Sequence, residues 1–169
     1  MRRSSSPPAI RSPAADVDLP RRLWDAWIEP GKPRLLRREL LPAEREVLEA
    51  RRNEIEPWIA GYDGEERDHA ALAIAEMLGG FRSMSSNSDQ QIAATMEGLL
   101  QLLRPYPYWA IEKACISIRV NGYTKGDGAR ERTWAPSDAD VVHAVKEMTR
   151  LYRDQYDSAV AMLNAGVAK

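Results

Sequence analysis

Apolar residues recur at helical spacing through most of this chain, and each run is bracketed by residues that start or stop helices. Ile92, Met96, Leu99 and Leu103 are spaced four, three and four residues apart, a single stripe along a helix that Pro105 ends. A second stripe of Trp109, Ile111, Ala114, Cys115, Ile118 and Val120 begins after Pro107 and stops at Asn121-Gly122. Arg104-Pro105-Tyr106 between them is long enough only for a tight corner. The two helices are therefore expected to pack as an antiparallel or steeply crossed pair.

Upstream, a first helix is predicted to start near Pro42, with Glu44 and Glu46 at its positive end and Val47, Leu48, Ile55, Trp58 and Ile59 as its narrow apolar stripe. Pro57 is expected to kink or restart it. The run EERDHAALAIAEMLGG reads as helix two, with Ala71, Ile74, Met77 and Leu78 on one face and Gly79 as terminator. SMSSNSDQQ reads as a polar linker whose Ser88 caps helix three. Ser137, followed by Asp138 and Asp140, marks the start of helix five. There Val141, Val145, Met148, Tyr152, Ala159 and Leu163 hold helical spacing to about Asn164, roughly 40 Å at 1.5 Å per residue. Its second half is expected either to cover the N-terminal helices or to project and pair with another molecule. The one β-branched run, ISIRV, continues a helical register, so no strand is predicted. The fold class that follows is all-α, a small helical bundle of four to five helices with a disordered N-terminal tail and a long C-terminal helix.

Length and composition narrow this further. At 169 residues the chain fits one domain: a Ser/Pro/Arg-rich disordered tail over 1–33, a single helical domain over 34–164 and a flexible C-terminus over 165–169. Within the tail, Leu23-Trp24-Asp25-Ala26-Trp27-Ile28 is a short amphipathic piece, expected to dock on the chain's own core and otherwise to anchor a partner. The formal charge of −1, from 24 basic and 25 acidic residues, excludes a simple polycationic nucleic-acid binder, so any such contact must be a local patch. The single Cys115 cannot form an internal disulfide and sits on an apolar stripe, which suggests a buried thiol in a reducing cytoplasm. No apolar run approaches the roughly 18 residues of a membrane span, and no membrane partner is expected.

Catalytic chemistry has few candidates. Beyond surface acids and bases there are only His69, His143 and Cys115, none within a recognisable motif, and a structural or solvent role is preferred for each histidine. No enzyme activity, metal site or cofactor is expected. The Gly122-Tyr-Thr-Lys-Gly-Asp-Gly segment lacks the GxxxxGK[ST] order of a phosphate-binding loop. It is nevertheless basic and flanked by aromatics, which makes Arg119, Tyr123, Lys125, Arg130 and Arg132 the candidate interaction residues. The plainer reading, a solvated connector with Tyr123 and Trp134 facing the core, is preferred. Trp109 and Trp134 are expected to share one aromatic cluster that sets the angle between helices four and five.

One resemblance carries the functional reading further. The helix ending Leu-Leu-Gln-Leu-Leu-Arg, the corner Pro-Tyr-Pro-Tyr-Trp-Ala, a helix bearing Ala114-Cys115, a loop and then Trp-Ala-Pro-Ser-Asp-Ala-Asp-Val are similar to small helical proteins of bacteriophages and prophages. From about Asp89 to Met148 the pattern resembles the N-terminal domain of phage replicative-helicase loaders and inhibitors. Asp140-Val141 stands where Glu-Ile or Glu-Leu is more usual, and the loop from Gly122 to Arg132 is long. The resemblance implies a non-enzymatic adaptor in DNA replication that binds a replicative helicase or related replication protein in the bacterial host cytoplasm. It transfers no individual residue of a helicase-binding site. Two alternatives stand beside it: a DNA-binding module using the basic loop 119–132, opposed by Asp138 and Asp140 at the helix start, and a phage structural or assembly protein oligomerising through helix 138–163.

Overall fold

The computed structural model describes residues 35–36, 38–124 and 130–167. The tail 1–33, with Trp24 and Trp27, lies outside them. The architecture is all-α: α1 (Pro42–Ile59), α2 (Glu66–Gly79), α3 (Asp89–Leu103), α4 (Tyr108–Asn121) and the long α5 (Asp138–Leu163). Two short ladders accompany the helices. Strand β1 (Leu35–Leu36) pairs in parallel with β4 (Gly166–Val167), and β2 (Tyr123–Thr124) pairs antiparallel with β3 (Arg130–Glu131).

Local chemistry sets the helix ends where the sequence placed them. At α3 the Gln91 N–H donates to Ser88 Oγ at 3.3 Å, and the Ser88 N–H donates back to Gln91 Oε1 at 2.9 Å. This reciprocal capping box satisfies two of the N–H groups a helix start leaves open. Ser137 and Asp140 repeat the device at α5, at 2.9 and 3.3 Å. Helix α4 ends at Gly122, whose φ of 73° lies in the region that favours glycine. Helix α1 runs unbroken through Pro57. The proline falls in the last turn, where little helix remains to be disrupted, and the helix is not restarted there.

By contacts the described chain divides into two compact units. The first, Ile59–Arg150, contains α2, α3, α4, the β2–β3 hairpin and the first half of α5. Its most extensive helix contact is between α2 and α4, with α3 against α2 next. Ala70, Ala110 and Ala114 are fully buried here, and residues without long side chains let helix backbones approach closely. Ile74 and Met77 of α2, Leu99 and Leu103 of α3, Ile111 and Ile118 of α4, and Val141 and Val145 of α5 complete the core. The expected pairing of α3 with α4 is therefore secondary: α2 is the main partner of each. The corner between α3 and α4 is tied instead to the segment after α1. Tyr62 donates its hydroxyl to the Leu100 carbonyl at 2.6 Å and its N–H to the Tyr106 carbonyl at 3.0 Å. A Cβ at Gly61 would collide with the Arg104 carbonyl.

Three expectations for this unit are corrected. The supposed polar linker contains a 3-10 turn, Arg82–Ser86, held by buried Phe81 and Met84. The basic loop is anchored by a hairpin, because its two ends fall opposite one another and pair Tyr123 with Glu131 and Thr124 with Arg130. The Trp109–Trp134 cluster is absent: Trp109 is 8% exposed and Trp134 is 62% exposed. Phe81 and Tyr123 do the work assigned to the indoles, with rings 6.3 Å apart at 68°. The Tyr123 hydroxyl donates to the Ala135 carbonyl at 3.3 Å, and the Ala135 N–H donates to Ser83 Oγ at 2.8 Å. These bonds fix the approach to α5. Val120, counted on the core stripe, is 61% exposed.

The second unit combines the described residues up to Trp58 with those from Leu151 onward. Of its two expected fates, the second half of α5 takes the first and packs on α1: Leu48 clusters with Ala159 and Met162, flanked by Leu40 and Leu163. Arg51 donates to Glu54 and to Gln155 Oε1, both at 2.6 Å. Glu44 is 4% exposed despite its charge. Its carboxylate accepts two bonds from the Arg38 guanidinium, at 2.8 and 2.7 Å, and one from the Leu41 N–H at 2.8 Å. Gly166 and Val167 pair with β1.

The two tryptophans provide a direct check on this packing. In urea titrations, Trp109→Ala is expected to lower stability by about 3–5 kcal/mol. Trp134→Ala is expected to change it by no more than about 0.5 kcal/mol. The reverse order would restore the discarded cluster.

Candidate functional site

The outer seam between α2 and α4 forms a shallow groove of about 80 Å³. Met77 and Cys115 reach it from the buried side. Leu72 and Ala73 from α2 and Ile116 from α4 line its apolar part, and Val120 stands one turn beyond Ile116 on the same face. Leu72, Ile116 and Val120 are 58%, 48% and 61% exposed. The helices leave these side chains outward because their inner faces are already filled by the alanines and isoleucines of the α2–α4 contact. A groove of this size is far below the roughly 300 Å³ at which small-molecule pockets begin. It offers apolar contact area with a polar rim.

That rim is charged and hydrogen-bonded. Arg119 of α4 pairs with Glu76 of α2 at 3.1 Å, both half exposed. At the other end His69 lies 5.6 Å from Tyr108, ring to ring at 43°. The Tyr108 hydroxyl donates to Glu112 Oε1 at 2.8 Å. Burial first, and then that carboxylate, push the Tyr108 phenol up to about 12. Burial alone pushes the Cys115 thiol up to about 12. At neutral pH both groups are protonated, so Cys115 presents a small apolar surface in place of a thiolate nucleophile. His143 is exposed on α5. Among the described residues no set of three or more His, Cys, Asp or Glu side chains is placed to hold a metal ion, and no helix is long and apolar enough to cross a membrane.

The residues singled out from sequence divide among different places. Arg119 belongs to the groove rim. Tyr123 is buried against Phe81, so its ring is not available to a partner. Lys125 lies outside the described residues. Arg130 and Arg132 are brought together at the end of α4, where both guanidiniums donate to the Asn121 carbonyl, at 3.2 and 3.3 Å. Sequence reasoning passed over Leu72 and Ile116, although both lie off the core stripe of their helices, and that offset was the available signal. It also placed Trp134 inside, whereas the indole stands in solvent two residues beyond Arg132.

The state of Cys115 is open to a simple measurement. At pH 8 the native protein is expected to leave this thiol unreacted toward a disulfide reagent for many minutes, while denatured protein titrates one thiol at once. Because its folded pKa is raised, the folded thiol should stay inert as pH rises from 8 to 9, a range in which an ordinary cysteine becomes thiolate. Rapid reaction of the native protein would mean that the α2–α4 seam opens. No family model, no curated protein and no solved structure matches this chain, and its function rests on the geometry above.

Proposed function

We propose that the protein is a non-enzymatic adaptor that binds a replicative helicase, or a related replication protein, through the outer face of α2 and α4. The observation that carries the reading is the apolar ridge of Leu72, Ile116 and Val120 beside the groove, left outside a core that is otherwise well filled. Exposed apolar residues scattered singly are ordinary, but Leu72 and Ile116 lining one groove with a charged rim, and Val120 a turn beyond, have the composition of a protein-docking face. The choice of a replication partner comes from the phage-type pattern between Asp89 and Met148. The helix order and the capped start of α5 support that kinship, and the missing Trp109–Trp134 packing does not. Oligomerisation through α5 is the weaker reading, since the apolar face of its second half is already occupied by Leu48 of α1.

A co-purification with the replicative helicase of the bacterial host tests this proposal. The wild-type chain should retain the helicase at both low and moderate salt, since an apolar contact is little screened. Leu72→Glu with Ile116→Glu should weaken the complex about ten-fold or more, with helix content unchanged because both positions are exposed. Failure of the wild type to bind at either salt would remove the reading. Binding that survives the double variant would move the interface elsewhere.

A further inference from the structure

Trp134 is an exposed aromatic side chain on a firmly held stretch of backbone. Its backbone is tied on both sides. The Arg132, Thr133 and Trp134 N–H groups all donate to Glu131 Oε1, at 2.9, 2.7 and 3.3 Å. Immediately after it, Ala135 is held by Ser83 and by the Tyr123 hydroxyl, and Pro136 is buried. An indole 62% exposed on so constrained a backbone is presented to solvent, with little backbone freedom left to lose on binding.

Its surroundings indicate what it is presented to. Arg130 and Arg132 share the Asn121 carbonyl, which fixes both guanidiniums at the end of α4 with further N–H donors unspent. A Cβ at Gly122 would strike the Arg132 stem, so the side chain crosses a surface kept clear for it. The bond from Ala135 to Ser83 brings the exposed Arg82 to the same end of the unit. Among the described residues none of these three arginines is paired with a carboxylate. Of the nearby acids, Glu131 accepts from three backbone N–H groups and Asp140 from the Ser137 hydroxyl at 2.6 Å and its N–H, while Asp138 stands exposed at the start of α5.

We infer that Trp134, Arg82, Arg130 and Arg132 form a binding site for single-stranded nucleic acid, in which the indole stacks on an unpaired base and the guanidiniums hold the flanking phosphates. A duplex hides its base faces, whereas a single strand offers each one to an aromatic platform, and arginine forks match phosphate oxygens. The site is independent of the helicase proposal, being built from different residues and a different chemistry.

Fluorescence anisotropy of a fluorescein-labelled dT oligonucleotide of about 12 nucleotides, titrated with the full-length chain, tests it. Binding is expected at about 50 mM salt and should weaken roughly ten- to twenty-fold at about 200 mM, as for three phosphate contacts at about −0.7 each in the salt slope. Trp134→Ala should weaken it about ten-fold or more, Trp134→Phe should retain most of it, and Arg130→Ala with Arg132→Ala should flatten the salt slope. Helix content by circular dichroism should be unchanged in all of them. Absence of binding at about 50 mM salt, or binding indifferent to Trp134→Ala, would overturn the inference. So would a Trp134→Ala variant that loses helicase while the wild type ignores the oligonucleotide, which would assign the indole to a protein partner.

Discussion

The close approach of α2 and α4 is the contact on which the first unit depends. Ala70 on one helix and Ala110 and Ala114 on the other have no accessible surface, and Ile74 and Ile111 lock into the space beside them. Such an interface has no long side chain to take up slack, and added volume at these positions would force backbones apart. Both α3 and α4 take α2 as their main partner. The same contact decides what faces out. With the alanine and isoleucine faces of α2 and α4 turned inward, Leu72, Ile116 and Val120 have only the outer seam to occupy.

Several carboxylates in this chain satisfy backbone N–H groups. Asp63 accepts from the Glu65 and Glu66 N–H groups at the start of α2, Glu44 from Leu41 before α1, Asp140 from Ser137 before α5, and Glu131 from the three successive residues Arg132, Thr133 and Trp134. Each lies where open N–H groups and the positive end of a helix or turn favour negative charge. The same chemistry positions the two candidate surfaces: Glu131 holds the Trp134 loop, and Glu76 orients Arg119 on the groove rim.

Those surfaces suit different partners for physical reasons. The groove between α2 and α4 is apolar, shallow and only rimmed by charge, which favours another protein's side chains. The end of α4 combines one indole with guanidiniums, and that combination favours a stacked base between phosphates. The proposed adaptor role in replication would use both, since helicase and single strand occur together. Each surface is defined by its own residues, so one can fail without the other.

Helix boundaries were legible in the sequence because they are set within a few residues: Ser88 with Gln91, Ser137 with Asp140, and glycine at the end of α4 act locally and need no tertiary partner. The core stripes of α3, α4 and α5 were legible for a related reason, since helical period alone places Leu99, Ile111 and Val141 on buried faces. The α2–α4 pairing was not, because alanine spacing shows that a neighbour comes close and does not say which one. Nor was the location of Trp134. An indole three residues before a helix cap fits a buried corner as well as an exposed one, and what decided between them was the Phe81–Tyr123 contact and the Ser83 bond to Ala135, made by residues 42 and 52 positions apart. Sequence determined where each helix begins, ends and turns its apolar side. Tertiary structure alone decided which rings fill the corner and which is left to face a partner, because that choice depends on contacts between segments far apart in the chain.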